Sequence, residues 1–257
     1  MRVVILGAGP DQDFQKEYSK SKILCPVNGA PMFWRVVQSV ASLDENPLLV
    51  VRKCDLDEVE LELRRVGDYF CHPKMLPISH LQSGAAMSLL AATADLDEND
   101  SVLLTFADHI IDPMELNRFK VRIRELEEQE TPVGCILTFD SEITEVNSVS
   151  PWSHVQLDSR RYDAKSVQHD HITSVVEKIA ISPIATCGMY YIPSWFQFRE
   201  AIMSMCTSNT RAAIAPYFVA PAFSFCDFPV EEFRINAKNF HSLGTVDRYH
   251  NYISGGH

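Results

Sequence analysis

The chain has 257 residues, 46% hydrophobic and 22% charged, a balance that suits a globular protein with a sizeable core. Its net charge of −11 argues against a nucleic-acid partner, which calls for a basic face. No run of about 18 apolar residues occurs, so no membrane span is expected. Residues 1–6 lack the basic start and long apolar stretch of a secretory leader, which makes the cytoplasm the expected location.

The elements follow in chain order. Residues 2–6 form a continuous aliphatic run that ends in Leu6 and is closed by Gly7, which predicts a buried strand. Residues 7–21 are polar and open with Gly7-Ala8-Gly9-Pro10, which predicts a loop. Pro31 can open a helix whose apolar face is Met32, Val36, Val37 and Val40. Residues 48–51 read as a second buried strand, and Asp55 as the cap of a helix reaching about Val66. An alanine- and leucine-rich helix should follow Ser83 or Gly84. A third strand over 101–107 should end at Asp108, with an amphipathic helix over 113–128 and a fourth strand over 133–139 after it.

This alternation predicts an α/β fold with a mostly parallel central sheet flanked by helices. Past residue 140 the pattern changes to strand-like segments at 154–158, 172–177 and 186–192. A helix over 195–205 and a short helix after Thr245 complete the chain. No linker rich in Gly, Ser or Pro intervenes, so one domain is expected, with residues 1–140 and 141–257 as its two halves. The seven cysteines are odd in number and form no CxxC pair, which speaks against a disulfide framework or a structural zinc site.

A glycine turn after a buried strand lets backbone N–H groups approach a phosphate, and Gly7 and Gly9 suit that role. Further along, Lys22-Ile23-Leu24-Cys25-Pro26-Val27-Asn28-Gly29-Ala30-Pro31-Met32 resembles the "P-K-x-L-x-P-V-x-G-K-P-M" signature of the sugar-phosphate nucleotidyltransferases. Other segments follow in that family's order. Gln82-Ser83-Gly84-Ala85-Ala86 resembles its "Q-G-x-A" nucleobase contact, and the strand ending at Asp108 its metal-binding strand. Glu177-Lys178 resembles its "E-K" pair, Ala185-Thr186-Cys187-Gly188-Met189-Tyr190-Tyr191 its "A-x-x-G-x-Y-x-F" strand, and Leu243-Gly244-Thr245 its late "G-T" turn. Trp152-Ser153-His154-Val155, with the segment from Glu177 to Tyr191, is similar to the branch found in capsule and lipopolysaccharide biosynthesis.

The resemblance implies a Rossmann-like, nucleotide-diphospho-sugar transferase fold and a Mg²⁺-dependent reaction. A nucleoside monophosphate would pass from a nucleoside triphosphate to a sugar phosphate or similar phosphorylated small molecule, with pyrophosphate leaving. It implies Lys22 as the catalytic cation and Asp108 as the metal ligand. Leu6, Gly7, Ala8, Gly9, Gln82, Gly84 and Ala85 would border the nucleotide. Asp108, Glu177, Lys178 and Gly188 would border the acceptor. Self-association into a homo-oligomer is left open.

The first loop departs from the family's "A-G-x-G-[ST]-R" pattern, because Asp11 replaces its second glycine and Asp13 its arginine. A carboxylate there removes a bidentate donor and repels phosphate. Pro10 takes one N–H from the cradle. Ser21 and Ala30 replace a proline and a lysine, and Ser242 replaces an aspartate that many relatives use for metal. Lys16 and Lys20 are the nearest compensating cations in sequence, and Asp11 with Asp13 offers an alternative second cation site. The alternative function is therefore a catalytically impaired member that binds nucleotide or sugar phosphate, or regulates. A glycosyltransferase would need a "D-x-D" motif, which Asp108-His109-Ile110 does not supply.

Overall fold

The structure is a computed structural model that describes residues 1–66, 71–79, 83–143, 145–158, 170–208 and 217–255. The chain opens with strand β1 (Arg2–Leu6), helix α1 (Gln12–Tyr18) and the short paired strands β2 (Pro26–Val27) and β3 (Ala30–Pro31). Helix α2 (Met32–Val40), strand β4 (Leu48–Arg52), helix α3 (Leu56–Val66), strand β5 (Lys74–Ile78) and helix α4 (Ala85–Leu90) follow. Then come β6 (Val102–Phe106), β7 (His109–Ile111), α5 (Pro113–Glu127) and β8 (Gly134–Asp140). The later part holds β9 (Val149–Leu157), β10 (Ile172–Ile179), β11 (Ile184–Ile192) and α6 (Trp195–Thr207). It ends with β12 (Val230–Ile235), β13 (Phe240–Ser242) and α7 (Val246–Ile253).

Nine strands make one mixed sheet, parallel at its centre, where β6, β1, β4 and β5 run side by side. Strand β11 joins antiparallel to β6, and β8 lies on the other edge of β11 with β12 parallel to it. Alternate residues of β1 serve two cores. Val3 and Ile5 pack with α2 and α5, while Val4 and Leu6 pack with α4 and α6. Apolar burial on both faces is what a parallel strand requires, and it explains the unbroken aliphatic run at residues 3–6.

Strand β11 changes partners along its length. Its start meets β9 at Ala185 opposite His154, and its end meets β6 over Tyr190 to Ile192. The β8 ladder shifts register between Thr186 and Tyr190. Gly188 lies in that interval with φ +72, a conformation that favours glycine. Strands β6 and β9 thus share one edge of β11 and separate near Gly188. The gap between them forms one side of the cleft described below.

Two local expectations are corrected. The segment 7–21 is not loop throughout, because α1 forms within it. Its Phe14 is buried against Tyr249 of α7, with ring centroids 5.7 Å apart, and that distant partner leaves no trace in the local sequence. Asp55 does precede α3, but its carboxylate accepts from Arg52 and Ser21. Of the strands the sequence pattern did not reveal, β5 carries Pro77 and sits at the sheet edge, where proline is tolerated. Strand β12 is rich in charge, and its Glu231 is held by Arg122 of α5 in a two-pronged pair at 2.7 Å. All seven cysteines are free thiols. Among the described residues no helix is long and apolar enough to cross a membrane.

Candidate active site

A cleft of about 560 Å³ opens at the carboxyl ends of β1 and β6. These parallel neighbours lie where the chain switches direction across the sheet, the usual place for a ligand in such folds. Leu6, Gly7, Ala8, Gly9 and Pro10 line one part, and Lys22 with Gly84 and Ala85 continues it. Asp108 and His109 lie beyond β6, and Gly188 and Tyr190 on β11. Trp152 and Ser153 on β9, Glu177 and Lys178 on β10, and Ser242, Thr245 and Arg248 complete the lining. Every residue assigned a site role from the sequence therefore borders this one cleft except Gln82, which lies outside the described residues.

Lys22 and Asp108 meet directly. The lysine Nζ donates to the aspartate Oδ2 at 2.6 Å, and both side chains are mostly covered. Burial pushes the Asp108 carboxyl up, but the Lys22 ammonium, with His109 assisting, holds it below its ordinary value. Burial drives the His109 imidazole below its ordinary value, and the Asp108 charge opposes that shift only in part. The His109 ring packs against Phe106 and Phe240, with centroids 5.1 and 5.3 Å away. A Cβ added to Gly188 would come within 2.5 Å of this ring.

The first loop is held differently from what its sequence implies. Asp11 is buried, and Arg52 at the end of β4 grips it with both terminal nitrogens, Nη2 lying 2.5 Å from Oδ2. Arg52 also donates to Asp55 at 2.7 and 2.9 Å and to Ser21 at 3.1 Å. Burial raises the Asp11 carboxyl, yet Arg52 keeps it below the ordinary range. The Lys22 N–H donates to the same Asp11 oxygen at 3.3 Å. Asp11 and Asp13 therefore do not form a cation site, because Asp11 is already neutralised and Asp13 stands exposed on α1. Lys16 and Lys20 are exposed, and the compensating cation is Arg52. The parallel pairing of β1 with β4 brings the two strand ends to one level, which is how a residue 41 positions away reaches the loop.

Gly84 has φ +111, and a Cβ there would lie 2.1 Å from the Tyr217 carbonyl oxygen. The close approach lets Tyr217 N–H donate to Ser83 O at 2.8 Å and Ala86 N–H to Tyr217 O at 3.1 Å. Glu177 accepts from the Ser153 hydroxyl, and burial raises its carboxyl above the ordinary value. Lys178 donates to Pro151 O at 2.6 Å and lies 3.4 Å from Glu177, so its ammonium is already engaged. The sequence pattern assigns no role to Arg248 on α7, yet its guanidinium lies over the Trp152 ring at 4.3 Å. Its position three residues after the cap Thr245 was the available signal.

Mg²⁺ typically takes one or two carboxylates and fills its remaining positions with phosphate oxygens and water. Among the described residues no group of three or more His, Cys, Asp or Glu could hold a metal ion. Asp108 could supply one carboxylate to such an ion, whose other positions phosphate oxygens and water would fill.

No family model matches the sequence, and no curated protein matches it significantly. Solved structures do match in shape. A nucleoside-diphosphate-sugar pyrophosphorylase from Vibrio cholerae RC9 superposes with a TM-score of 0.72 at 15% identity, covering 99% of this chain and 100% of that one. The chain has the fold of the nucleotide-sugar pyrophosphorylases. An inositol-1-phosphate CTP transferase from T. maritima gives 0.69 at 11% identity over 98% and 94% of the two chains. A UDP-glucose pyrophosphorylase complexed with UDP-glucose gives 0.72 at 14% identity over 99% and 97%.

Proposed function

We propose that the protein is a nucleotidyltransferase of the capsule and lipopolysaccharide type. It moves a nucleoside monophosphate from a triphosphate to a sugar phosphate or similar phosphorylated small molecule and releases pyrophosphate. The observation that carries this reading is the Lys22–Asp108 contact at 2.6 Å, in the same cleft as the loop after β1 and the Glu177–Lys178 pair. We further place the protein in the cytoplasm as one domain, with the nucleotide on the 1–140 side and the acceptor on the 141–257 side.

In this reading an acceptor phosphate oxygen attacks the α-phosphorus and pyrophosphate departs. The protein supplies position and charge, with no nucleophile of its own. The Gly7 N–H donates to Val50 O at 2.8 Å, so the N–H groups of Ala8 and Gly9 would face the phosphates, and Pro10 offers none. The Lys22 ammonium offsets charge that builds up at phosphorus. Gly84 and Ala85 present backbone to the base. Asp108 would hold Mg²⁺, which when bound supplies further neutralisation of phosphate charge.

The test is pyrophosphate release with Mg²⁺ across the four common nucleoside triphosphates and a panel of phosphorylated sugars. Release with one pairing, lost in Lys22→Met, supports the reading. No release with any pairing counts against it. The second reading, an impaired member that binds or regulates, is favoured by the Asp11–Arg52 pair, which ties up the guanidinium that reaches this loop. That reading predicts triphosphate binding that is absent or indifferent to Lys22→Ala in calorimetry.

A further inference from the structure

We propose that Arg248 receives the phosphate group of the acceptor, with Trp152 as the plate that keeps its guanidinium flat. The assignment rests on the nucleotidyltransferase reading and names the acceptor grip that reading leaves open.

Charge in the cleft points to this residue. The lining residues include three cations, Lys22, Lys178 and Arg248, and two carboxylates, Asp108 and Glu177. Lys22 is paired to Asp108 at 2.6 Å, and Lys178 lies 3.4 Å from Glu177. Those pairs compensate one another. Arg248 is left over, so the cleft has a positive surplus on a chain of net charge −11.

The guanidinium itself is built to receive an anion. It is half-buried and lies 4.3 Å from the Trp152 ring centroid. Trp152 is fixed from behind by edge contacts with Phe139 at 5.4 Å and Phe240 at 5.7 Å. Stacking satisfies the flat face of a guanidinium and leaves its in-plane N–H donors free. Among the described residues the Arg248 side chain makes no hydrogen bond or ion pair. A planar fork with unfilled donors matches the oxygens of a phosphate. Arg248 also occupies the first turn of α7, where the helix dipole disfavours a cation, and the charge of Asp108 offsets its burial only in part.

Location separates the acceptor from the triphosphate. Trp152 belongs to β9, beside β10 with Glu177 and Lys178, while the glycine loop follows β1. Lys178 already donates to Pro151 O, so it is not the open cation on this side.

The experiment uses Trp152 emission, since Trp34 and Trp195 are buried in the core. Inorganic phosphate and glucose 1-phosphate are titrated at constant ionic strength, with glucose as the uncharged control. The expected result is a saturable emission change with both phosphates and none with glucose. Arg248→Met, which keeps the stem over Trp152, should weaken phosphate binding at least tenfold, and Arg248→Lys by less. Trp152→Phe should remove the signal while calorimetry still detects binding. Equal affinity of wild type and Arg248→Met for glucose 1-phosphate overturns the assignment. If triphosphate binding at the same time requires Lys22, the nucleotidyltransferase reading survives that failure. If Arg248→Met weakens only the triphosphate, Arg248 belongs to the nucleotide and the assignment is equally overturned.

Discussion

Arg52 holds Asp11 by both terminal nitrogens and Asp55 by two further bonds, so one guanidinium at the end of β4 neutralises two buried carboxylates. Removing it strands both. Arg52→Met is expected to cost about 3–5 kcal/mol, the range for breaking a buried pair from one side. Asp11→Gly should cost less, because Arg52 keeps Asp55 and Ser21. Urea unfolding of the two variants measures the order, and an equal or reversed order contradicts it.

Among the described residues Lys22 is the only lysine or arginine in ion-pair contact with Asp108, at 2.6 Å. With the pairing of substrates that releases pyrophosphate, Lys22→Met should lower kcat/KM about 100- to 1,000-fold, the scale for deleting one well-placed donor. A loss below tenfold would remove Lys22 from the chemistry.

Glu177 should leave a mark on stability against pH. Burial raises its carboxyl in the folded chain, so folding is favoured while the group is protonated. That contribution is fully present below the ordinary carboxylate range and is lost as pH climbs through the raised folded value. Glu177→Gln should therefore match wild type in acid and become relatively more stable toward neutral pH. Urea midpoints across that span test the sign, and a gap that widens in acid refutes it.

Gly188 should tolerate no side chain. Its φ of +72 and the 2.5 Å approach of an added methyl to the His109 ring combine backbone strain with overpacking. Gly188→Ala should cost about 1–3 kcal/mol. Because the ring is wedged between Phe106 and Phe240, adding His109→Ala should recover part of that loss. Thermal unfolding of the single and double variants provides the check, and strict additivity would show that the ring is not the obstacle.

The alternating first half was legible because its signals are local. The aliphatic run before Gly7, the Met32–Val36–Val37–Val40 stripe and the Pro113 start each declare an element on their own residues. Lys22 and Asp108 could be brought together only through the resemblance, since 86 positions separate them. Helix α1 was missed because Phe14 gains its burial from Tyr249, and Arg52 because its partner is delivered by strand pairing. Arg248 was overlooked for the opposite reason. What distinguishes it is an unfilled donor set, and a sequence does not show which donors are unfilled.

The cleft is assembled from segments far apart in the sequence. Leu243 N–H donates to Asp108 O at 2.8 Å, Gly84 nests against Tyr217, and Arg248 lies over Trp152. The glycine loop and the parallel strands belong to the first half of the chain, while most of the wall around them comes from residues 151–248. A fragment holding the first half alone would keep the glycine loop and lack most of the surface that encloses it.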